Sequence, residues 1–433
     1  MTTSTTLTVP EAAAIDPSIP PKPAAAGPVC RFCATPLKTT FVDLGMSPLC
    51  ESFVPASALN HMEPFYPLRA FLCETCFLVQ LDEYVTPDNI FTEYAYFSSY
   101  SDSWVEHARR YVNQITDRLQ LGASSRVVEI ASNDGYLLQH FVKGGVPVLG
   151  IEPAANVAKV AIAKGVATVV RFFGVQTATD LARETGHADL IVGNNVLAHV
   201  PDINDFVGGL QVLLKPSGTI TMEFPHLVRL MEQNQFDTIY HEHFSYLSLL
   251  SAQTIFKAHG LRVYDVDEIP THGGSLRIYA CHQDAPMPVS GGVTALAARE
   301  EQFGLNRVDT YTRFTRQVEE TKRKLLSFLI EARSQGLTVA GYGAPGKGNT
   351  LLNYCGIRTD FVDYVVDRNP YKHGRYLPGT HIPIYAPERI RDTKPDFVLI
   401  LPWNLKDEIV EQLAYIREWG GRFVVPIPSV EVL

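Results

Sequence analysis

No apolar run in the 433 residues approaches the roughly 18 needed to cross a bilayer, so no membrane span is expected. Positive charge is also in deficit. The 37 Lys and Arg stand against 46 Asp and Glu, a formal charge of −9, which is the wrong sign for a chain that grips nucleic-acid phosphates along a broad basic face. The first 28 residues lack the basic stretch followed by an apolar one that marks a secretory signal; rich in Thr, Ala and Pro, they read as a disordered tail on a cytoplasmic protein. Cysteines are few, and four of the seven fall into two CxxC pairs, a metal pattern and not a dispersed disulfide framework.

What is present is globular composition, 46% hydrophobic and 19% charged, in a chain long enough for two to three domains. Behind the tail, residues 29–90 carry short irregular segments, many prolines and both CxxC pairs, and read as a small metal-pinned module. Residues 91–285 open with an aromatic segment and an expected helix of apolar spacing (VEHARRYVNQITDRL) and then alternate strands with helices: RVVEI (126–130), YLLQHFVK, VLGIE (148–152), ADLIVGNN (188–195). Such alternation predicts βαβ units and a parallel sheet. A charged helical connector (286–335) leads to residues 336–433, where strand LTVAGYG, a Gly-rich turn, a helix and strand FVDYVVD repeat the earlier pattern. The fold class is α/β, with two Rossmann-like sheets.

Cys30 and Cys33 in CRFC, with Cys73 and Cys76 in CETC, place four thiolates at the spacing of two zinc knuckles. A closed shell of four sulfurs leaves no open position for water or substrate, so the expected Zn²⁺ is structural. Cys50, Cys281 and Cys355 have no partner at ligand spacing and read as ordinary small hydrophobes.

The turn EIASNDG (129–135) follows the first strand of the central block, where open α/β sheets bind ligands. Glu152 ends the next strand and can accept hydrogen bonds from both hydroxyls of a ribose. One glycine is too few for a pyrophosphate loop. With Glu129, Ser132, Asn133 and Gly135 in place of GxGxxG, the turn suits an amino-acid tail better than two phosphates, which points to S-adenosylmethionine; Asn194 and Asn195 end the strand where its two arms would meet. In the last block, GYGAPGKGNT (341–350) follows a strand and opens a helix, so its amides can hold a diphosphate, with Lys347 adding a point charge. Gly348 and Asn349 follow that lysine where a Walker A loop needs Ser or Thr, so no hydroxyl is offered to Mg²⁺. A dinucleotide site with Asp367 on the ribose is the competing reading of this loop.

EIASNDG, GIEP, NNVLAHVPD, YHEHFSY, HGGSLR, GYGAPGKGNT and VVDRNPYKHG, in this order behind a paired CxxC module, resemble the nucleotide-sugar C-methyltransferases of the tetronitrose C-3′-methyltransferase type over residues 29 to about 425. The resemblance implies a zinc module, a class I S-adenosylmethionine domain and a C-terminal nucleotide-sugar domain, in a monomer or dimer. It implies methyl transfer to carbon 3 of an NDP-4-keto-deoxyhexose, dTDP-linked by analogy, through an enolate. The matching positions place Tyr240, Glu242 and His243 of YHEHFSY, His199 of NNVLAHVPD and Tyr94 of EYAYFSS around the sugar, and Gly343, Lys347, Asn349 and Arg277 on the nucleotide sugar.

Such chemistry needs a base for an acidified C–H and a donor for the oxyanion. His243 is the candidate base, Tyr240 the donor, and Glu242 holds a sugar group or orients the base. Residue types alone leave other readings open: metal binding by His241 and His243 without HExxH, a satisfied polar network at a domain seam, O- or N-methylation of a sugar, or a catalytically idle binding protein of this fold.

Overall fold

The computed structural model describes residues 27–85 and 97–433. Nearly all of the expected tail, and Tyr94, lie outside the described residues. With strands numbered in chain order, the central block forms a seven-stranded sheet of β5 (Val127–Ile130), β6 (Val148–Ile151), β7 (Thr168–Val169), β8 (Ala188–Asn194), β9 (Leu214–Pro225), β11 (Leu261–Ile269) and β12 (Ser275–His282). Its spatial order is β11-β12-β9-β8-β5-β6-β7. β5 pairs in parallel with β6 and β8, while β12 runs antiparallel between β9 and β11. All four residues of β5 are buried, as a β-branched strand covered on both faces requires.

The helix Asp102–Leu119 covers one face, started by Ser101, whose hydroxyl accepts from the Trp104 amide. Ala108, Tyr111, Val112 and Ile115 are its buried residues, a spacing that puts one apolar stripe on the sheet.

The C-terminal block is a six-stranded sheet of β13 (Val339–Tyr342), β14 (Tyr364–Val366), β16 (Ile384–Tyr385), β17 (Phe397–Ile400), β18 (Arg422–Val425) and β19 (Glu431–Val432), in the order β16-β14-β13-β17-β18-β19. In both parallel sheets the strand order reverses beside the first strand, between β5 and β8 and between β13 and β17. Ligand crevices of open α/β sheets form at the carboxyl ends of strands at such reversals.

The N-terminal module differs from an autonomous knuckle domain. β1 (Thr39–Ser47), β3 (Tyr66–Leu72) and β4 (Val79–Leu81) form a sheet whose fourth strand is β10 (Ser245–Tyr246), the end of the YHEHFSY run, while the short β2 (Val54–Pro55) pairs antiparallel with β15 (Arg375–Tyr376). Phe41, Val42 and Leu68 share one buried cluster with Phe314, Leu325 and the C-terminal sheet, whereas Cys30, Cys73 and Cys76 pack into the core of the central sheet. The module is thus a wedge seated on both.

The connector also divides. Its first helix, Gly291–Phe303, buries Val293 and Leu296 in the central core, so this stretch belongs to the central sheet; Phe314–Ser334 is the helix that packs with the C-terminal cluster. No helix among the described residues is long and apolar enough to cross a membrane.

Candidate active site

The turn after β5 holds three residues in left-handed conformation, Ala131, Asn133 and Gly135. Gly135 needs its missing side chain, because a Cβ there would lie 3.0 Å from Val166 Cγ2. Glu152 fastens the turn: its carboxylate accepts from the Asn133 and Ala154 amides, both at 2.9 Å. Burial raises the Glu152 pKa, opposed by those two amides. Glu129 is fully buried, and burial together with the charges of Glu152 and Asp134 pushes its carboxyl well above the ordinary range. Glu129 Oε2 and both amide atoms of Asn194 are buried without a hydrogen-bond partner, an array suited to a ligand with hydroxyl and amino-acid groups.

Two further cofactor candidates make contacts within the protein, although the Ser132 hydroxyl is buried without a hydrogen-bond partner. Asn133 Oδ1 accepts from the Ser98 amide at 2.9 Å, and Ser132 packs beneath Gly150, where a Cβ would stand 2.4 Å from its hydroxyl.

The YHEHFSY run crosses the carboxyl ends of β8 and β9. His243 Nδ1 lies 2.8 Å from the Thr238 carbonyl, so Nδ1 carries the proton and Nε2 the lone pair. Its ring centroid is 4.7 Å from His199 and 4.0 Å from Tyr240. Burial lowers both imidazoles, His243 well below its ordinary value and His199 to about 4. Both rings are therefore neutral at pH 7. Glu242 behaves oppositely: burial and the neighbouring Glu51 charge push it up to about 7. His241 Nε2 donates to the Pro67 carbonyl at 3.1 Å, and among the described residues no group of three or more possible metal ligands includes His241 or His243.

The C-terminal loop meets this run from the other side. Gly343 adopts φ +86°, with Pro402 Cδ only 2.6 Å from where a Cβ would sit. Asp367 accepts from the Ala344 amide at 2.7 Å, committing the acid to the loop itself. Lys347 donates to Asn404 Oδ1 at 2.7 Å and lies 4.7 Å over the Trp403 ring. Trp403 in turn donates to Asp237 Oδ2 at 2.7 Å, and Asp237 precedes Thr238. Burial pushes the Asp237 carboxyl up to about 6, with Lys347 opposing. A cavity of about 740 Å³, walled by Trp403, Asn404 and Lys406 on one side and His226, Arg229 and Gly274 on the other, opens between the two sheets.

Two residues expected on the nucleotide sugar are held by contacts within the protein. Arg277 lies in β12 with 3% exposure, donating to Glu223 Oε2 at 2.6 Å and stacked 4.4 Å over Tyr111; its charge is spent on a buried acid of the central sheet. Asn349 is 2% exposed and donates to the Cys50 carbonyl at 2.6 Å, tying the C-terminal helix to the N-terminal module. Cys50 is more than a small hydrophobe, since its Sγ lies 3.8 Å from Glu242 Oε1. Glu223, His107 and Asp237 escaped the sequence reading, because none belongs to a spaced motif, and His272, though it opens the HGGSLR run, was given no role there. Only their convergence in space marks them.

The four knuckle sulfurs lie within 4.8 Å of one another, with three separations of 3.5, 3.6 and 3.7 Å. Tetrahedral zinc at about 2.3 Å from each sulfur sets neighbouring sulfurs about 3.8 Å apart, so the cluster fits Zn²⁺. Both knuckles close the same way: the amides of Ala34 and Phe77 donate to the Cys30 and Cys73 carbonyls at 2.9 Å, each from a left-handed residue. Arg31, between two ligands, donates to the carbonyls of Pro201 (2.6 Å) and Leu81 and lies 5.2 Å over Phe244. The metal module thereby touches both the His199 loop and the His243 run.

A seven-stranded sheet with one antiparallel strand, an acid ending its second strand and orphaned polar groups at the strand reversal defines a class I S-adenosylmethionine-dependent methyltransferase carrying a structural zinc site. Family models match in three stretches: a zinc binding domain (residues 30–91), a methyltransferase domain (104–266) and a C-methyltransferase C-terminal domain (270–428). The C-methyltransferase NovU of Streptomyces niveus is 37% identical over 404 residues, 93% of this chain and 96% of that protein. The chain belongs to this C-methyltransferase family. A ubiquinone biosynthesis O-methyltransferase of Xanthomonas oryzae is 32% identical, over 25% of this chain and 46% of its own length. The solved magnesium protoporphyrin IX methyltransferase of Synechocystis with bound SAM aligns at 16% identity and a TM-score of 0.31, over 42% of this chain and 82% of its own.

Proposed function

We propose that the enzyme methylates carbon 3 of an NDP-4-keto-deoxyhexose by way of an enolate. The observation that carries this reading is the meeting of a lone-pair imidazole, His243, with the Tyr240 ring at 4.0 Å and with the Lys347 side of the C-terminal loop, whose charge acts on that same imidazole. S-adenosylmethionine, when bound, supplies an electrophilic methyl group. The carbon acid must come from the acceptor, and a proton next to a keto group is acidic enough for a neutral imidazole.

In this reading His243 Nε2 takes the carbon-3 proton while the C–H electrons move onto the carbonyl oxygen. Tyr240 donates to that oxyanion. The enolate carbon then forms its bond to the methyl group as the methyl–sulfur bond breaks and the carbonyl is restored, leaving S-adenosylhomocysteine and a protonated His243. Lys347 and the loop from Gly343 hold the diphosphate beside the interdomain cavity, and Glu152, Glu129, Asn194 and Asn195 hold the methyl donor. His199 lines the space between them.

One observation favours a second assignment of the base. Glu242, pushed up to about 7, has an affinity for protons better matched to neutral pH than the depressed His243. The test is mass spectrometry of products from a panel of NDP-4-keto sugars, with His243→Ala and Glu242→Gln beside wild type. A product heavier by one methyl group, and a fall of about 10²–10⁴-fold in His243→Ala, is expected. Near-normal turnover in His243→Ala with loss in Glu242→Gln would move the role of base to Glu242.

A further inference from the structure

The link between β11 and β12 carries His272, Gly273 and Gly274 at φ +55°, +87° and +116°. This left-handed run turns the His272 side chain toward β8, where Nε2 lies 3.1 Å from Asn195 Nδ2. Asn195 is itself left-handed, and its backbone amide donates to the Glu223 carbonyl at 2.7 Å, so both partners are held from behind. With the Asn195 amide donating, Nε2 is the acceptor and Nδ1 bears the proton. His272 is exposed, its ring 5.3 Å from the Trp104 indole.

Three charged or titratable neighbours act on this ring: Lys347 from the C-terminal loop, with Glu223 and His107 from the central sheet and its covering helix. Glu223 is already engaged by Arg277 (2.6 Å), His107 (3.0 Å) and Thr271 Oγ1 (2.9 Å), so its carboxylate is no partner for His272. His272 and Lys347 both act on His243. The imidazole therefore stands where the cofactor half, the base and the anion loop converge.

We propose that His272 is a further catalytic residue, one that donates Nδ1–H to the keto oxygen of the sugar and, with Tyr240, holds the oxyanion formed when carbon 3 loses its proton. The proposal rests on the keto-sugar reading above. The protein packed around the ring and the Lys347 charge disfavour its protonated form and hold it below the ordinary imidazole value, so it is a neutral donor at pH 7. It changes no charge during the step, and the proton it shares stays on Nδ1.

The test uses the full-length enzyme and two substitutions that suit the left-handed backbone: His272→Gly, which removes the imidazole without strain, and His272→Asn, which keeps a short donor. Wild type is first shown to methylate a keto sugar. Removing an oxyanion donor costs about 10²–10³-fold in kcat, so His272→Gly should fall by that order. Its affinity for S-adenosylmethionine by calorimetry should stay within about threefold and its thermal midpoint unchanged, while His272→Asn regains about tenfold. Exchange of the carbon-3 proton in deuterated water, with S-adenosylhomocysteine present, should fall in parallel. A His272→Gly enzyme with near-normal kcat, or one that loses only cofactor affinity, overturns this proposal and leaves the sugar reading standing. A wild type inert toward every keto sugar overturns both.

Discussion

Replacing Arg31 with methionine should slow catalysis while leaving the metal in place. The guanidinium sits between zinc ligands Cys30 and Cys33, yet its hydrogen bonds go to the Pro201 and Leu81 carbonyls. Pro201 is two residues past His199. Leu81 donates its amide to the Phe244 carbonyl at 3.0 Å, next to His243, and Phe244 itself lies under the guanidinium. Hydrogen bonds from a charged donor contribute about 1.5–3 kcal/mol each, and a cation–π contact about 0.5–2 kcal/mol. Burial of the guanidinium, which lowers its pKa, takes back part of that sum. A net loss of about 2–4 kcal/mol is the working figure. If half of it appears as misplacement of the two histidines, kcat falls about tenfold, since 1.36 kcal/mol is one decade of rate. The assay is kcat and KM for both substrates, with zinc content by atomic absorption and the thermal midpoint on the same preparation. Arg31→Met with one zinc per chain, an unchanged midpoint and wild-type kcat would refute the idea that the knuckle positions the histidines.

Three further outcomes are expected. Glu152→Ala should weaken S-adenosylmethionine binding by tenfold or more, read by calorimetry, because a charged acceptor of hydroxyls is worth about 1.5–3 kcal/mol; nucleotide-sugar affinity should hardly change, and the reverse pattern would interchange the two sheets. Glu242 has its folded pKa raised from 4.5 to about 7, so the fold binds that proton more tightly than the unfolded chain does: the stability is full below pH 4.5 and is lost as pH rises toward 7. Glu242→Gln should accordingly melt higher than wild type at pH 8, with the gain shrinking by pH 5; an equal gain at both would mean that ionisation is not its cause. Gly343→Ala places a Cβ 2.6 Å from Pro402 at φ +86°, and should destabilise the C-terminal half by more than about 1 kcal/mol in denaturant melts.

The sequence by itself determined what depends on neighbours along the chain. Alternating apolar strands and helices specified the parallel cores of both sheets, since a strand buried on two faces must be apolar nearly throughout, as β5 is apart from Glu129. The CxxC spacing specified the metal ligands, because each knuckle is closed by a hydrogen bond across only four residues. Glu152 was legible for the same reason, as an acid at the end of the strand after the turn it fastens. Tertiary structure decided everything that joins distant segments. Asn349 and Cys50 are 299 positions apart, and Arg277 meets Glu223 across 54, so no local pattern announces that either side chain is already taken. β10 completes the zinc sheet because hydrogen bonds to β4 satisfy a strand edge that would otherwise lie bare beside His243. His272 opens the HGGSLR run, but the run by itself gives it no role; it becomes a candidate for the chemistry only when the left-handed turn sets its ring against Asn195, between the two halves of the cleft.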